Sequence, residues 1–115
     1  MIEVTVKKYL ADNLQNIPVL FEHPKSKPDR YVLIHEIDAG KTNEVRAITL
    51  EFICGAKSYY SARELCGQVR HLLEHSAILP SISSAKIGGE NGGYNENNSD
   101  YEYDLIFNFT HFEED

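Results

Sequence analysis

The chain has 115 residues, of which 42% are hydrophobic, and its formal net charge is −7 at pH 7. This length and composition predict one folded domain and exclude a disordered chain. The basic residues are scattered, which excludes a broad duplex-binding surface because such a surface needs clustered lysines and arginines. The N-terminus is too polar for a secretory leader, and no run approaches the roughly 18 apolar residues of a membrane span, so we expect a soluble protein made in a cytoplasm.

The first third of the chain predicts a helix followed by two strands. An apolar residue recurs at every fourth position, which is one stripe of a helix over about residues 2–15. The stripe consists of Ile2, Val6, Leu10 and Leu14. Pro18 ends this helix and opens a short strand over 18–22. A proline-containing loop over 23–29 leads into a strand over 30–37, whose two apolar faces favour a central position in a sheet.

The middle of the chain predicts a hairpin and a second helix. A turn over 38–44, built on Gly40 and Asn43, joins the preceding strand to an antiparallel strand over 45–54. The second helix is capped by Ser58 or Ser61 and runs to about His75. Gly67 within it is expected to mark a close approach of the helix to the sheet. The two cysteines, Cys54 and Cys66, are predicted to be buried free thiols.

The last third predicts a second hairpin that ends in an aromatic strand. A modest strand over 82–87 is followed by a loop over 88–99, in which Asn91–Gly92 suits a tight turn. The strand over 100–112 has large apolar side chains at every second position, which predicts one buried face. They are Tyr101, Tyr103, Leu105, Phe107 and Phe109. The whole order, α-β-β-β-α-β-β, predicts an α+β fold with two helices on one face of a mostly antiparallel sheet.

The residue chemistry predicts no enzyme, metal site or cofactor site. His71 and His75 have the i, i+4 spacing of metal ligands, but the Glu of an HExxH motif is absent and a zinc site needs three or four ligands. Cys66 lies within an apolar helix face, which favours a packed thiol over a nucleophile. Glu102 and Asp104 share one strand face, where we expect them to be solvated.

Two surface features predict partner contacts. The outer face of the sheet is expected to be too apolar for a free monomer, which indicates an oligomer or docking surface of roughly 800 Å² per partner. Its candidate residues are Val32, Ile34, Ala47, Ile53, Ile106 and Phe112. The turns 38–44 and 88–99 are expected to be flexible contact loops. Their candidate residues are Gly40, Lys41, Asn43, Glu90, Asn91, Gly92 and Asn95.

The chain resembles the tail terminator, or tail completion, proteins of long-tailed bacteriophages and prophages. The resemblance covers nearly the whole chain and lies in patterns of size and polarity. Its components are the amphipathic first helix, the Pro-led strand at Ile17–Leu20, the hydrophobic strand at Tyr31–Ile34, the small-residue turn at Phe52–Ser58 and the aromatic strand at Tyr101–Phe107.

This resemblance implies a virion protein with no catalytic residues. It implies a ring, usually of six subunits, that caps the tail tube, stops its polymerisation and offers a surface to the head-side connector. DNA would pass through the lumen without specific recognition, which the acidic composition fits. Two alternatives stay open: a head–tail connector or stopper, and a small α+β ligand-binding domain or an enzyme using His71, His75 and Cys66. A deep pocket with convergent polar groups would favour the second.

Overall fold

The computed structural model describes residues 2–25, 28–42, 45–76, 79, 82–95 and 100–112. Two helices and five strands follow one another in the predicted order α-β-β-β-α-β-β. They are α1 (Ile2–Asn13), β1 (Val19–Leu20), β2 (Arg30–Thr42), β3 (Val45–Ala56), α2 (Tyr59–Glu74), β4 (Ile82–Asn95) and β5 (Asp100–Phe112). Among these residues, neither helix has the length and apolar character needed to cross a membrane.

One five-stranded sheet in the order β1-β2-β3-β5-β4 runs the length of the molecule. Only β1 is parallel to its neighbour, β2, and the other three pairings are antiparallel. At about 3.3 Å per residue, strands of this length span roughly 40–46 Å, which matches the longest molecular dimension of 44 Å. The β2–β3 hairpin ends at Thr42 and Val45, level with Phe112 at one end of the strands. The β4–β5 hairpin ends at Asn95 and Asp100, at the other end of the strands.

Both helices cover the same face of this sheet, as the sequence predicts. The apolar stripe of α1 and the inner side of α2 join the covered face in a single buried core. Leu105, Phe107 and Phe109 of β5 are fully buried there, and the ring of Phe109 meets that of Phe52 edge-on at 6.2 Å between centroids. Burial of large apolar side chains is worth roughly 1.5–3 kcal/mol each, so this layer is the main source of stability.

The helix ends follow local chemistry. After α1, Asn16 adopts a left-handed backbone with φ of 59°, and Pro18 follows two residues later. At the start of α2, the side-chain oxygen of Ser58 accepts a hydrogen bond from the Ser61 amide at 3.1 Å, which identifies Ser58 as the N-cap. Gly67 is exposed, with no atom within 4 Å of an added Cβ, so its expected close approach to the sheet was wrong.

The predicted turn over 38–44 was wrong for its first five residues. Gly40 and Lys41 lie within β2, where they pair with Ala47 and Arg46. A register shift between Glu36 and Asp38 absorbs one extra residue, and the ladder then continues to Thr42. A β-bulge of this kind bends a strand without ending it. Asn43 lies outside the described residues.

The predicted loop over 88–99 was wrong for residues 88–95, which continue β4. Glu90, Asn91 and Gly92 pair with Leu105, Asp104 and Tyr103, so Asn91–Gly92 makes no turn. Asn95 ends the strand opposite Asp100. The ring of Tyr103 explains one of the glycines, because a Cβ at Gly92 would come within 2.4 Å of it. Glycine in a strand often marks a close approach of this kind.

Candidate partner-binding surfaces

The sheet face opposite the helices, here called the helix-free face, carries only part of the predicted interface. Ala47, Ile53 and Ile106 lie on it, because each alternates with core residues of its own strand. The backbone of Phe112 pairs with Val45, but its side chain lies outside the described part of the structure.

The placement of Val32 and Ile34 on this face was wrong. Both are buried in the helix-covered core, where they pair with Cys54 and Phe52. Their strand is apolar on both faces, so alternation alone could not determine which face meets the helices. A one-residue error in phase moves every side chain to the opposite face.

Tyr31 and Leu33 occupy the helix-free face instead, in a small second core. They pack with Ile53 and with the partly buried Leu20. The ring of Tyr31 crosses β3 at Gly55, where an added Cβ would lie 2.1 Å from the Tyr31 ring carbon Cζ. Gly55 is therefore required for this packing.

A polar network closes one end of the helix-free face. The Tyr31 hydroxyl donates hydrogen bonds to the carboxylates of Glu102, at 2.7 Å, and Asp100, at 3.2 Å. The Lys57 ammonium lies 2.9 Å from Asp100, and the His23 ring nitrogen lies 3.0 Å from Glu102. Burial and these carboxylates raise the pKa of Tyr31 well above its usual value. The network ties the segment that carries His23 to the sheet, a contact that the sequence did not predict.

A pair of carboxyl groups lies next to this network, and the expectation that Asp104 is simply solvated was wrong. Partial burial, together with the charge of Glu51 and a hydrogen bond to it, raises the pKa of Asp104 to about 7. Glu102 contributes a smaller part of the same shift. The His35 ring nitrogen on β2 lies 3.9 Å from the Glu51 carboxylate. At pH 7 the Asp104 carboxyl is therefore about half protonated.

Several tyrosines form an exposed patch around the start of α2 and the β4–β5 hairpin. Tyr60 is 76% exposed, and Tyr59 meets the half-buried Tyr103 edge-on at 6.2 Å between ring centroids. Tyr94 meets Tyr101 in the same way at 5.0 Å. Tyrosine is enriched at protein–protein interfaces, so this patch is a second surface suited to partner contact.

The residues considered for enzyme chemistry do not converge. Cys66 is buried against Cys54, and a hydrogen bond between the two thiols, together with burial, raises the pKa of Cys54. His71 and His75 lie on the exposed side of α2, where the His75 ring nitrogen Nδ1 contacts the His71 carbonyl at 2.8 Å. Among the described residues, no three His, Cys, Asp or Glu side chains cluster as a metal site would require.

A groove of about 500 Å³ runs between the end of α1 and the exposed side of α2. Its polar lining includes Asn13, Glu64, Gln68 and His71. The groove is open along its length and mostly apolar, whereas a small-molecule site encloses most of its ligand. This geometry gives little support to a ligand-binding domain.

No protein-family model and no curated protein sequence matches the chain. In its fold, the chain is similar to a chain of a solved structure described as "Virion of native gene transfer agent (GTA) particle". The two chains are 12% identical, with a TM-score of 0.62 over 94% of this chain and 84% of the other. At this identity the similarity shows a shared fold, and function has to be argued from the surfaces of the molecule.

Proposed function

We propose that this protein is a structural component of a tailed-phage type of virion, and within that class a tail terminator. Copies of the chain would form a ring, usually of six subunits, that caps the tail tube, ends its polymerisation and joins it to the head-side connector. The main support is the fold similarity to a virion chain over 94% of this chain. The sequence patterns that resemble tail terminators support the same conclusion independently.

The shape of the molecule suits a subunit with partners at two ends. The molecule is 44 Å long, and its two hairpins end at opposite ends of the strands. The tyrosine patch lies at the end formed by the β4–β5 hairpin, where a large aromatic area is exposed. A subunit of this shape can contact the tail tube at one end and the connector at the other.

The helix-free face suits the wall of a DNA channel. It carries the acidic side chains Glu51 and Glu102 on β3 and β5, with Asp104, which is partly ionised at neutral pH, between them. Like charge repels the phosphate backbone, so DNA can pass such a wall without binding to it. We propose that Ala47 and Ile106 on this face contact neighbouring virion subunits, and that the protein performs no catalysis.

The direct test is polymerisation of purified tail tube protein from the same virion with and without this chain. A terminator should limit tube length when present at far less than one copy per tube subunit, and negative-stain images should show a ring at one tip of each tube. Tubes of unchanged length without a bound ring would contradict the proposal.

The same assay separates a terminator from a head–tail connector. A connector would leave tube growth unchanged and would bind the head-side proteins, or tubes that a terminator had already capped. Sedimentation velocity over a wide concentration range, in parallel, measures whether the ring forms without the tube as a template.

A further inference from the structure

The sheet has two edges with unpaired backbone, one on each side. On one side β4 is the last strand, and none of the described strands pairs with its outer edge from Ile82 to Asn95. On the other side β1 pairs with β2 at Val32 and Leu33, so within the described chain the outer edge of β2 is unpaired from residue 35 to 42. Exposed edges of this kind are templates for pairing with another strand.

The outer edge of β2 presents backbone groups that are ready to pair. The Val32 amide donates to the Pro18 carbonyl at 2.9 Å, which shows that the amide of Val32 points away from β3. Amide directions alternate along a strand, so Ile34, at the end of β1, and Glu36, beyond it, also point their amides outward.

The two unpaired edges lie at the same level of the sheet. Register across the intervening strands places Ile87 of β4 level with Glu36 of β2, through Phe107 and Leu50. By the same path, Glu90 lies level with Ile34. Three successive antiparallel pairings also make β4 antiparallel to β2.

Side chains at these edges are of the kind that pairing would cover. Ile37, the extra residue at the register shift in β2, is 52% exposed, and Ile87 on β4 is 39% exposed, which is unusual for large apolar residues in a sheet. Lys86 on β4 and Glu36 on β2 are exposed and of opposite charge. Each edge therefore offers exposed apolar surface.

We propose that copies of this protein associate head to tail by pairing the outer edge of β4 in one copy, over residues 82–90, with the outer edge of β2 in the next, over residues 35–42. If one copy is related to the next by rotation about an axis parallel to the strands, every strand keeps its level along that axis and its direction. The β2 edge of one copy therefore meets the β4 edge of the next in antiparallel orientation and at the same level. A heterologous contact whose rotation closes produces a ring. This inference rests on the proposed function for the ring, and it defines the contact that forms it.

The test is thiol crosslinking of the double variant Glu36→Cys/Ile87→Cys, by oxidation and with a short crosslinker that tolerates a stagger of two residues. Within one copy the two positions are separated by three strand spacings, about 14 Å, which exceeds the roughly 7 Å limit for a disulfide. Any bond is therefore between copies, and the native Cys54 and Cys66 are buried. We expect a ladder of covalent oligomers that ends at a closed ring.

Two controls keep the result specific. Each single variant has one new thiol and can give no more than a dimer. The pair Val4→Cys/Ile87→Cys uses an exposed residue on α1, 51% accessible, and should give no ladder beyond the dimer.

As a second measurement, Ile37→Lys should weaken association in sedimentation by about tenfold or more, because a charge on an edge strand opposes pairing. Val4→Lys should change association less than about twofold.

The outcomes separate this inference from the proposed function when the experiments are repeated with tail tube present. A closed oligomer that forms without a ladder, or that tolerates Ile37→Lys, overturns edge pairing and leaves the terminator proposal standing. A chain that neither forms the ladder nor assembles on tail tube overturns both. A ladder with tubes of unchanged length supports the edge contact and contradicts the terminator role.

Discussion

Replacing Asp104 by Asn should stabilise the protein more at pH 8 than at pH 5. Its carboxyl pKa is raised from 3.8 to about 7 in the folded protein. Between these values the folded state keeps a proton that the unfolded state has lost. The free energy of unfolding therefore falls as the pH rises towards 7. The full shift would correspond to about 4 kcal/mol at 1.36 kcal/mol per unit, but Asp104 is only partly buried and solvent screening reduces this to about 1–2 kcal/mol.

The assay is urea unfolding at pH 5 and pH 8, followed by circular dichroism because the chain has no tryptophan. We expect the variant to exceed the wild type by about 1 kcal/mol or more at pH 8, since the amide removes the repulsion between Asp104 and Glu51. The exposed Asp12 on α1 provides a matched control, and Asp12→Asn should give the same small difference at both pH values. An Asp104→Asn effect that does not change between pH 5 and pH 8 would refute the raised pKa of Asp104.

Three further predictions concern folding stability, each measured by the same unfolding assay. Gly55→Ala should destabilise by about 1–3 kcal/mol because its methyl group meets the Tyr31 ring, whereas Gly67→Ala on the open side of α2 should stabilise by up to about 1 kcal/mol; equal effects would contradict the packing described. Ser58→Ala should cost about 1 kcal/mol as the loss of a helix cap, and Ser61→Ala should change stability by less than about 0.5 kcal/mol. Tyr31→Phe should cost about 1–3 kcal/mol because it removes hydrogen bonds to two carboxylates, and an unchanged midpoint would show that the polar network is not stabilising.

The sequence predicted the elements of the fold where periodicity is strong and one-sided. The stripe of α1 and the alternation of β5 each have one apolar face, so both the type of element and its buried side follow from the pattern. For β2 the pattern is apolar on both faces. The type of element was correct, but Val32 and Ile34 were assigned to the wrong side. The side on which these residues lie depends on the contact of the Tyr31 ring with Gly55, which is 24 positions away in the sequence. No local sequence pattern predicts such a contact.

The extent of β4 could not be predicted for a different reason. Its glycines and asparagines are typical of a loop, and local propensity alone ends the strand near Ile87. In the structure the neighbouring strand determines how far β4 extends, because β5 pairs with β4 along its whole length and Tyr103 lies over the backbone at Gly92. The same glycines leave the outer edge of β4 with few side chains to shield it.

The candidate surfaces depend on this extension more than on any residue that the sequence singled out. With β4 ending near Ile87 and β2 ending at Ile37, the sheet would have had two short edges and two mobile loops, and partners would have been sought at the loops. The extended strands convert much of those loops into edges that run antiparallel at one level. Backbone pairing carries little sequence information, since every residue except proline has the same donor and acceptor. A chain that assembles through such edges can keep its assembly while its side chains change.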